Sequence, residues 1–251
     1  MSRLALSTRG LDKSFGSLVV AKDIALELPQ GERYALIGPN GAGKTTLINL
    51  LTGMLKPDRG QIYLGEEEIT ARAPEQRVKS GLARTFQINT LFPHLNALEA
   101  VTLVVCERQG YAGNCWHKLP AYRDAIEEAH AILVSLRIAA SCLRPIHELA
   151  YGEQRLLEIG LALATDPKVL LLDEPAAGVP KTESAQLFSV IASLPRTVAV
   201  LFIEHDMNVV FRFANRVIVM VGGRILVEGS PPEIAADERV RAAYLGRSRH
   251  V

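Results

Sequence analysis

Short apolar runs of strand type alternate with longer segments in which apolar residues recur every three or four positions, and this alternation lays out the chain. Positions 4–11 and 19–28 carry β-like runs, broken by Phe15-Gly16-Ser17 and closed by Pro29-Gln30-Gly31, which predicts a small antiparallel sheet. The apolar run 34–37 reads as a core strand, and 46–51 behind it has the pattern of the first turns of a helix. A turn at Gly53 and Lys56-Pro57-Asp58-Arg59-Gly60 leads back through a strand at 61–65, and 80–87 reads as a further strand entry. From 98 to about 138 the pattern is helical, with Ala125, Ile126, Ala129, Ile132, Leu133 and Leu136 at helical spacing and a loop at 111–114. Positions 149–154 open another helix that runs to Asp166-Pro167. Buried-type strands follow at 169–172 and 198–203, then a hairpin of 217–221 and 225–228 about Gly222-Gly223. Ser230-Pro231-Pro232-Glu233 has the cap, proline and Glu placement of a helix start.

Between the strand at 34–37 and the helix behind it stands Gly38-Pro39-Asn40-Gly41-Ala42-Gly43-Lys44-Thr45-Thr46, which fits G-x-x-x-x-G-K-[ST] at every fixed position. The glycines let backbone N–H groups close around an anion, and the helix N-terminus adds the positive end of a dipole. Lys44 brings a charge to the terminal phosphates and Thr45 a hydroxyl to Mg2+. The stretch reads as a cradle for a nucleoside triphosphate. The fold expected is therefore α/β: a P-loop NTPase core with a mainly parallel sheet, an N-terminal antiparallel β-subdomain and an inserted α-helical subdomain.

Two further features belong with the cradle. The strand 169–172 ends in Asp173-Glu174 and the strand 198–203 in Glu204-His205-Asp206, which places their polar groups at the C-terminal ends of buried strands, where open α/β sheets put their chemistry. Phe15 sits in a turn; it either stacks on a base or packs under its own hairpin.

The chain of 251 residues carries 28 basic and 27 acidic residues, a net charge of +1, so nothing global favours nucleic acid as a partner. Cys106, Cys115 and Cys142 show neither C-x-x-C spacing nor even pairing, and are expected to be incidental thiols in a reducing compartment. No apolar run approaches the roughly 18 residues that cross a bilayer, and residues 1–6 lack the pattern of a signal peptide. A role at a membrane would come through partner subunits.

Taken in order, the phosphate loop, Gln87, the element 149–154, Asp173-Glu174 and His205 resemble the nucleotide-binding subunit of an ABC transporter over nearly the whole chain. The wording of 82–87, 150–155, 173–178, 204–207 and the tail 240–246 is similar, more narrowly, to the ATPases of branched-chain amino-acid importers; importers of urea or other amides are the alternative. The resemblance implies one cassette, 1–251, with an ATP-binding core and β-subdomain at 1–87 and 155–251 and a helical subdomain at 88–154. It implies that Lys44 and the loop 38–46 hold ATP, that Thr45, Asp173 and Gln87 position Mg2+, and that Glu174 is the general base. His205 would hydrogen-bond the γ-phosphate and the attacking water, and Phe15 would stack on adenine. Ala150, Tyr151, Gly152 and Glu153 would cap the nucleotide of a second ATPase subunit, so that each site is built from two chains. Permease subunits would dock near 87–95, although those residues could instead pack the base of the helical insertion. A periplasmic or extracellular binding protein would act indirectly, and the chain would lie peripherally on the cytoplasmic face.

Two positions depart from that family. Ala150 stands where a serine is usual, and Pro180 where Asp or Asn is usual. Ala150 has no hydroxyl to donate, so the site that borrows this cap is expected to be slower by about ten- to a hundredfold. Pro180 removes a polar side chain and an N–H from a loop expected to cross between subunits. These departures predict an asymmetric pair with a different ATPase subunit. Two rival readings follow: a regulatory module that binds ATP with little hydrolysis, favoured by Ala150 and Pro180, and a soluble ATPase acting on nucleic acid or ribosomes, disfavoured by the charge balance.

Overall fold

The computed structural model describes residues 3–85, 92, 94–111 and 122–245. In chain order the elements are β1 (Leu4–Phe15), β2 (Leu18–Pro29), β3 (Arg33–Ile37), α1 (Lys44–Thr52), β4 (Arg59–Leu64), β5 (Glu67–Glu68), α2 (Pro74–Lys79), β6 (Leu82–Arg84), α3 (Ala97–Arg108) and α4 (Arg123–Ser135). There follow α5 (Tyr151–Leu163), β7 (Val169–Asp173), α6 (Lys181–Ser193), β8 (Ala199–Ile203), α7 (Met207–Phe213), β9 (Arg216–Val221), β10 (Arg224–Gly229), α8 (Pro231–Ala236) and α9 (Glu238–Leu245). Two compact units result: Met1–Leu82 with Lys168–Pro175 and Pro195–Val251, and Ala83–Pro167 with Ala176–Leu194.

The first unit holds the expected α/β core. Strands run in the order β10, β9, β3, β8, β7, and β3 pairs parallel with both β8 and β9, as does β7 with β8. β3 and β8 are buried at every position, which is why 34–37 and 199–203 are continuous apolar runs; Arg33, the first residue of β3, is a buried charge. The β9–β10 pair is antiparallel, joined through the Gly222-Gly223 turn with φ of 55 and 77. A second sheet, β2-β1-β4-β5, is antiparallel throughout, as the alternation in 4–11 and 19–28 predicts. Strand β1 extends further than that pattern suggested, so Phe15 is its last residue, paired with Leu18.

One apolar core joins both sheets to α1: Leu6, Ile24, Leu26 and Ile62 from the antiparallel sheet meet Leu47, Ile48 and Leu51 of the helix and Leu171 and Leu201 of the parallel strands. The C-terminal end of α1 is closed by Arg77, whose Nη1 donates to Leu50 O at 2.7 Å and Leu51 O at 2.6 Å. Its other nitrogens reach Thr70 O and Arg72 O, and burial lowers its pKa. A cation on the last carbonyls complements the helix dipole and fixes the axis whose other end is the phosphate loop.

The second unit is helical. Asn96 and Glu99 form a reciprocal capping box at the start of α3. Helix α5 approaches its neighbours closely at Gly160, where an added Cβ would lie 2.9 Å from Leu136 Cδ1 and 3.8 Å from Val101 Cγ2. This close contact with α3 and the end of α4 draws all of α5 into the helical unit, and α6 goes with it, whereas the sequence reading divided the chain at 154/155. Cys106 and Cys142 are buried free thiols; Cys115 lies outside the described residues.

Candidate functional site

In the first unit the chain leaves β3 into a loop shaped by three left-handed glycines, Gly38, Gly41 and Gly43, with φ of 154, 77 and 102. Two of them are also required by close backbone approach. A Cβ on Gly38 would lie 2.2 Å from Met220 O, and one on Gly43 2.4 Å from Val20 O. The loop is tied down by Ala42 N–H to Pro39 O at 3.1 Å, and by Gly223 N–H to Ala42 O at 2.9 Å. Pro39 is half-buried, Asn40 and Gly41 are exposed, and Ala42 is buried. Lys44 folds back over the loop, its Nζ donating to Gly38 O at 2.7 Å and Pro39 O at 3.2 Å. Burial lowers the Lys44 pKa, while the charges of Glu174 and Asp173 work to raise it. No side chain caps α1, so its first-turn N–H groups, with Thr45 exposed and Thr46 half-buried beside them, suit the oxygens of an anion.

The acids arrive from β7. Asp173 ends the strand, and Glu174 follows at φ 50, held by its N–H to Ile203 O at 3.1 Å. A non-glycine residue there costs on the order of 1 kcal/mol, sustained by the adjacent strand. The turn brings Glu174 Oε1 to 2.7 Å from His205 Nε2. His205 is held on both sides: its N–H meets the buried Glu204 carboxylate at 3.2 Å, and Asp206 caps α7 through Asn208 N–H at 2.9 Å. Both members of the pair keep nearly half of their side-chain surface open, as groups that meet a ligand must.

Phe15 is 51% exposed, with Lys13 Nζ 5.6 Å from its ring centroid. The ring is thus not buried under its hairpin. Leu18 and Val19 are exposed beside it, two apolar residues not singled out from the sequence, and Val20 O already touches the loop at Gly43. The edge of the antiparallel sheet thus lies against the phosphate loop. A second unanticipated neighbour is Tyr244 of α9: burial raises the pKa of its phenol, and the nearby Gly38 backbone works to lower it.

In the second unit, α5 begins at Tyr151 after an exposed Ala150, with no side-chain cap. Glu153 is turned inward: its carboxylate accepts from Ala150 N–H at 3.0 Å and from Ser141 Oγ at 2.6 Å, so that side chain is committed to its own helix start. Gly152 faces the start of α6: a Cβ there would lie 2.8 Å from Oε2 of the exposed Glu183 side chain. Pro180 serves as the N-cap of α6, its carbonyl accepting from Glu183 N–H and Ser184 N–H. Gln87 and positions 88–91 and 93 of the expected docking stretch lie outside the described residues; Phe92 is 68% exposed.

The cradle, the strand-end acids and the histidine occur in one order along a chain whose residues 21–177 match the family model for ABC transporters. The chain belongs to the ABC transporter family of ATP-binding cassettes. It is an ATP-binding, ATP-hydrolysing cassette with an α/β P-loop NTPase fold. Residues 224–250 match a second model, for the branched-chain amino acid ATP-binding cassette transporter. The chain is 38% identical over 99% of its length, and 100% of the relative's, to the high-affinity branched-chain amino acid transport ATP-binding protein LivG of Salmonella typhimurium. It is 37% identical, with the same coverage, to the corresponding protein BraF of Pseudomonas aeruginosa. The lipopolysaccharide export ATP-binding protein LptB of Acidithiobacillus ferridurans is 35% identical over 98% of each chain. Among solved structures, an ATP-binding cassette of an ABC transporter in its ADP conformation superposes with a TM-score of 0.86 at 30% identity, covering 98% of this chain and all of that one.

Proposed function

We propose that this cassette powers an importer of branched-chain or related amino acids, as a peripheral subunit on the cytoplasmic face of a membrane. Near-full-length similarity to the LivG and BraF proteins and the tail match at 224–250 support the substrate class. Membrane subunits would supply the channel, since no helix of the described residues is long and apolar enough to cross a bilayer.

The observation that carries the hydrolytic role is the Glu174–His205 pair at 2.7 Å, at the ends of two adjacent parallel strands beside the Lys44 loop. ATP would lie with its phosphates in residues 38–46 and its adenine against Phe15. Lys44 and the first-turn amides of α1 stabilise charge on the transferring phosphoryl group, where catalysis rests on positioning and electrostatics. Glu174 accepts the hydrogen bond of the attacking water and orients it in line, and His205 holds that carboxylate and the γ-phosphate in register. The residues fit Mg2+: an exposed Thr45 hydroxyl and the half-buried Asp173 carboxylate offer the one or two protein oxygens such an ion takes beside substrate phosphates, with Gln87 a third candidate. Bound there, the ion would neutralise charge on the phosphates.

The start of α5, Ala150 to Glu153, would cap the nucleotide of a second cassette. Ala150 offers no hydroxyl and Glu153 is committed to its own backbone, so the cap works through amides and the helix end. We assign the chain to an asymmetric pair with a different ATPase subunit, its own complete site being closed by the partner's cap. The regulatory reading keeps the same geometry without turnover. Co-expression with the permease subunits and reconstitution into vesicles tests both: leucine-stimulated ATP hydrolysis that rises with Ala150→Ser supports the importer. Purification without membrane subunits, or with bound RNA, would remove it.

A further inference from the structure

Within the helical unit, the start of α5 is fastened to the loop that follows Glu174 in sequence. Tyr151 Oη donates to Ala177 O at 3.1 Å. Arg155, one turn along, donates from Nη2 to Tyr151 Oη at 3.0 Å and to the same Ala177 carbonyl at 3.2 Å. Its guanidinium lies 5.3 Å from the Tyr151 ring centroid. The loop backbone closes the fit: Gly178 has φ 78, and a Cβ there would fall 2.8 Å from Tyr151 Oη. Behind this clasp, Arg155 Nη1 pairs with Glu158 Oε2 at 3.0 Å, with side chains only 12% and 5% exposed. Burial raises the Glu158 pKa against the pull of Arg155. Arg155 Nε and Glu158 Oε1 have no partner among the described residues.

A buried ion pair with two unmet polar atoms is a poor device for stability alone; its attested use is to fix one arrangement among several. Here the pair aims the guanidinium at the loop carbonyl. The clasp needs no side chain from the loop itself, so it is indifferent to the proline at 180.

We propose that Tyr151 and Arg155 are positioning residues that lock loop 176–180 to the start of α5, so that the two parts of this chain offered to a partner cassette move as one piece. The inference rests on the two-cassette reading above. A charge-assisted fork on one carbonyl holds the loop at a fixed distance from the helix amides, and closure of the pair then presents both in register. Without the clasp, each would have to be ordered separately at closure.

The test uses the complete transporter complex with Tyr151→Phe, which keeps the ring, and with Arg155→Met paired with Glu158→Leu, which removes both buried charges together and so protects folding. The expected result is a fall in kcat of about three- to tenfold in either variant, with the KM for ATP little changed and the cooperativity of ATP hydrolysis reduced toward that of independent sites. Binding of a fluorescent ATP analogue to the isolated chain, which reads only its own phosphate loop, stays as in the parent. A merely structural role would lower thermal stability without touching cooperativity. Parental kcat and cooperativity in both variants, with Glu174→Gln inactive in the same complex, overturn the clasp alone. If Glu174→Gln also leaves hydrolysis intact, the two-cassette reading falls and the clasp with it.

Discussion

Replacing Gly43 with alanine tests whether the phosphate loop takes its shape from the strand pair that carries Phe15. At φ 102 an alanine is strained, and its Cβ would lie 2.4 Å from Val20 O, 3.4 Å from Met220 Cε and 3.5 Å from Gly223 Cα. The first of these contacts is with backbone, so relief requires moving β2 or the loop. Gly41 provides the matched control, with φ 77 and nothing within 4 Å of an added Cβ. Left-handed strain alone costs about 1–2 kcal/mol. Overpacking against a fixed neighbour adds about 1–3 kcal/mol. Gly41→Ala should therefore lose about 1–2 kcal/mol and Gly43→Ala about 2–5 kcal/mol in chemical denaturation followed by circular dichroism. Because the displaced amides are those at the start of α1, affinity for a fluorescent ATP analogue should fall about tenfold or more in Gly43→Ala, the worth of one charge-assisted hydrogen bond. Equal destabilisation of the two variants, or unchanged nucleotide affinity in Gly43→Ala, would refute the reasoning.

Three further predictions follow from the same geometry. Phe15→Ala removes an exposed ring at the edge of the loop and should weaken ATP binding about five- to a hundredfold, the range of one base-stacking contact, as read by calorimetry. His205→Ala leaves Glu174 without the partner at 2.7 Å and should lower kcat about a hundredfold or more, with nucleotide affinity moved far less. Tyr34 is buried beside the negative charge of Glu228, and its pKa is pushed up from 10.0 to about 12. Its phenol therefore ionises first in the unfolded chain, so this group's effect is absent below pH 10 and erodes stability as pH rises toward 12, by up to about 2 kcal/mol. Tyr34→Phe should flatten that alkaline decline in urea titrations, and an unaltered slope would contradict the assignment.

The parts of the site that were legible in the sequence are those fixed by local spacing. Gly38, Gly43 and Lys44 lie within one loop whose strand and helix have opposite hydrophobic periods, and Asp173 stands at the end of a four-residue apolar run that only a buried strand explains. What the spacing did not carry was pairing across distance. Glu174 and His205 are 31 residues apart, and their contact depends on the parallel register of β7 and β8. Arg77 looks like an ordinary surface cation in sequence, yet it closes the far end of α1 because a short helix folds back under it. Tyr151 reads as part of a cap for a partner, while its hydroxyl and the Arg155 guanidinium serve a loop of their own chain 22 to 26 residues on. The helical unit's claim on α5 was hidden for the same reason: a glycine inside an apolar helix, Gly160, gives no sign in sequence of which neighbour it admits.

The central claim is that the site built on this chain's own Lys44 loop turns over ATP, with Glu174 orienting the water. The most direct test is hydrolysis and nucleotide occupancy measured together on the purified transporter complex carrying Glu174→Gln. That change keeps the shape of the side chain and a hydrogen bond to His205 but removes the charge. The account predicts that turnover falls about a hundredfold or more while ATP remains bound and trapped in the closed pair. Unchanged turnover in the variant, or loss of ATP binding along with activity, would contradict it.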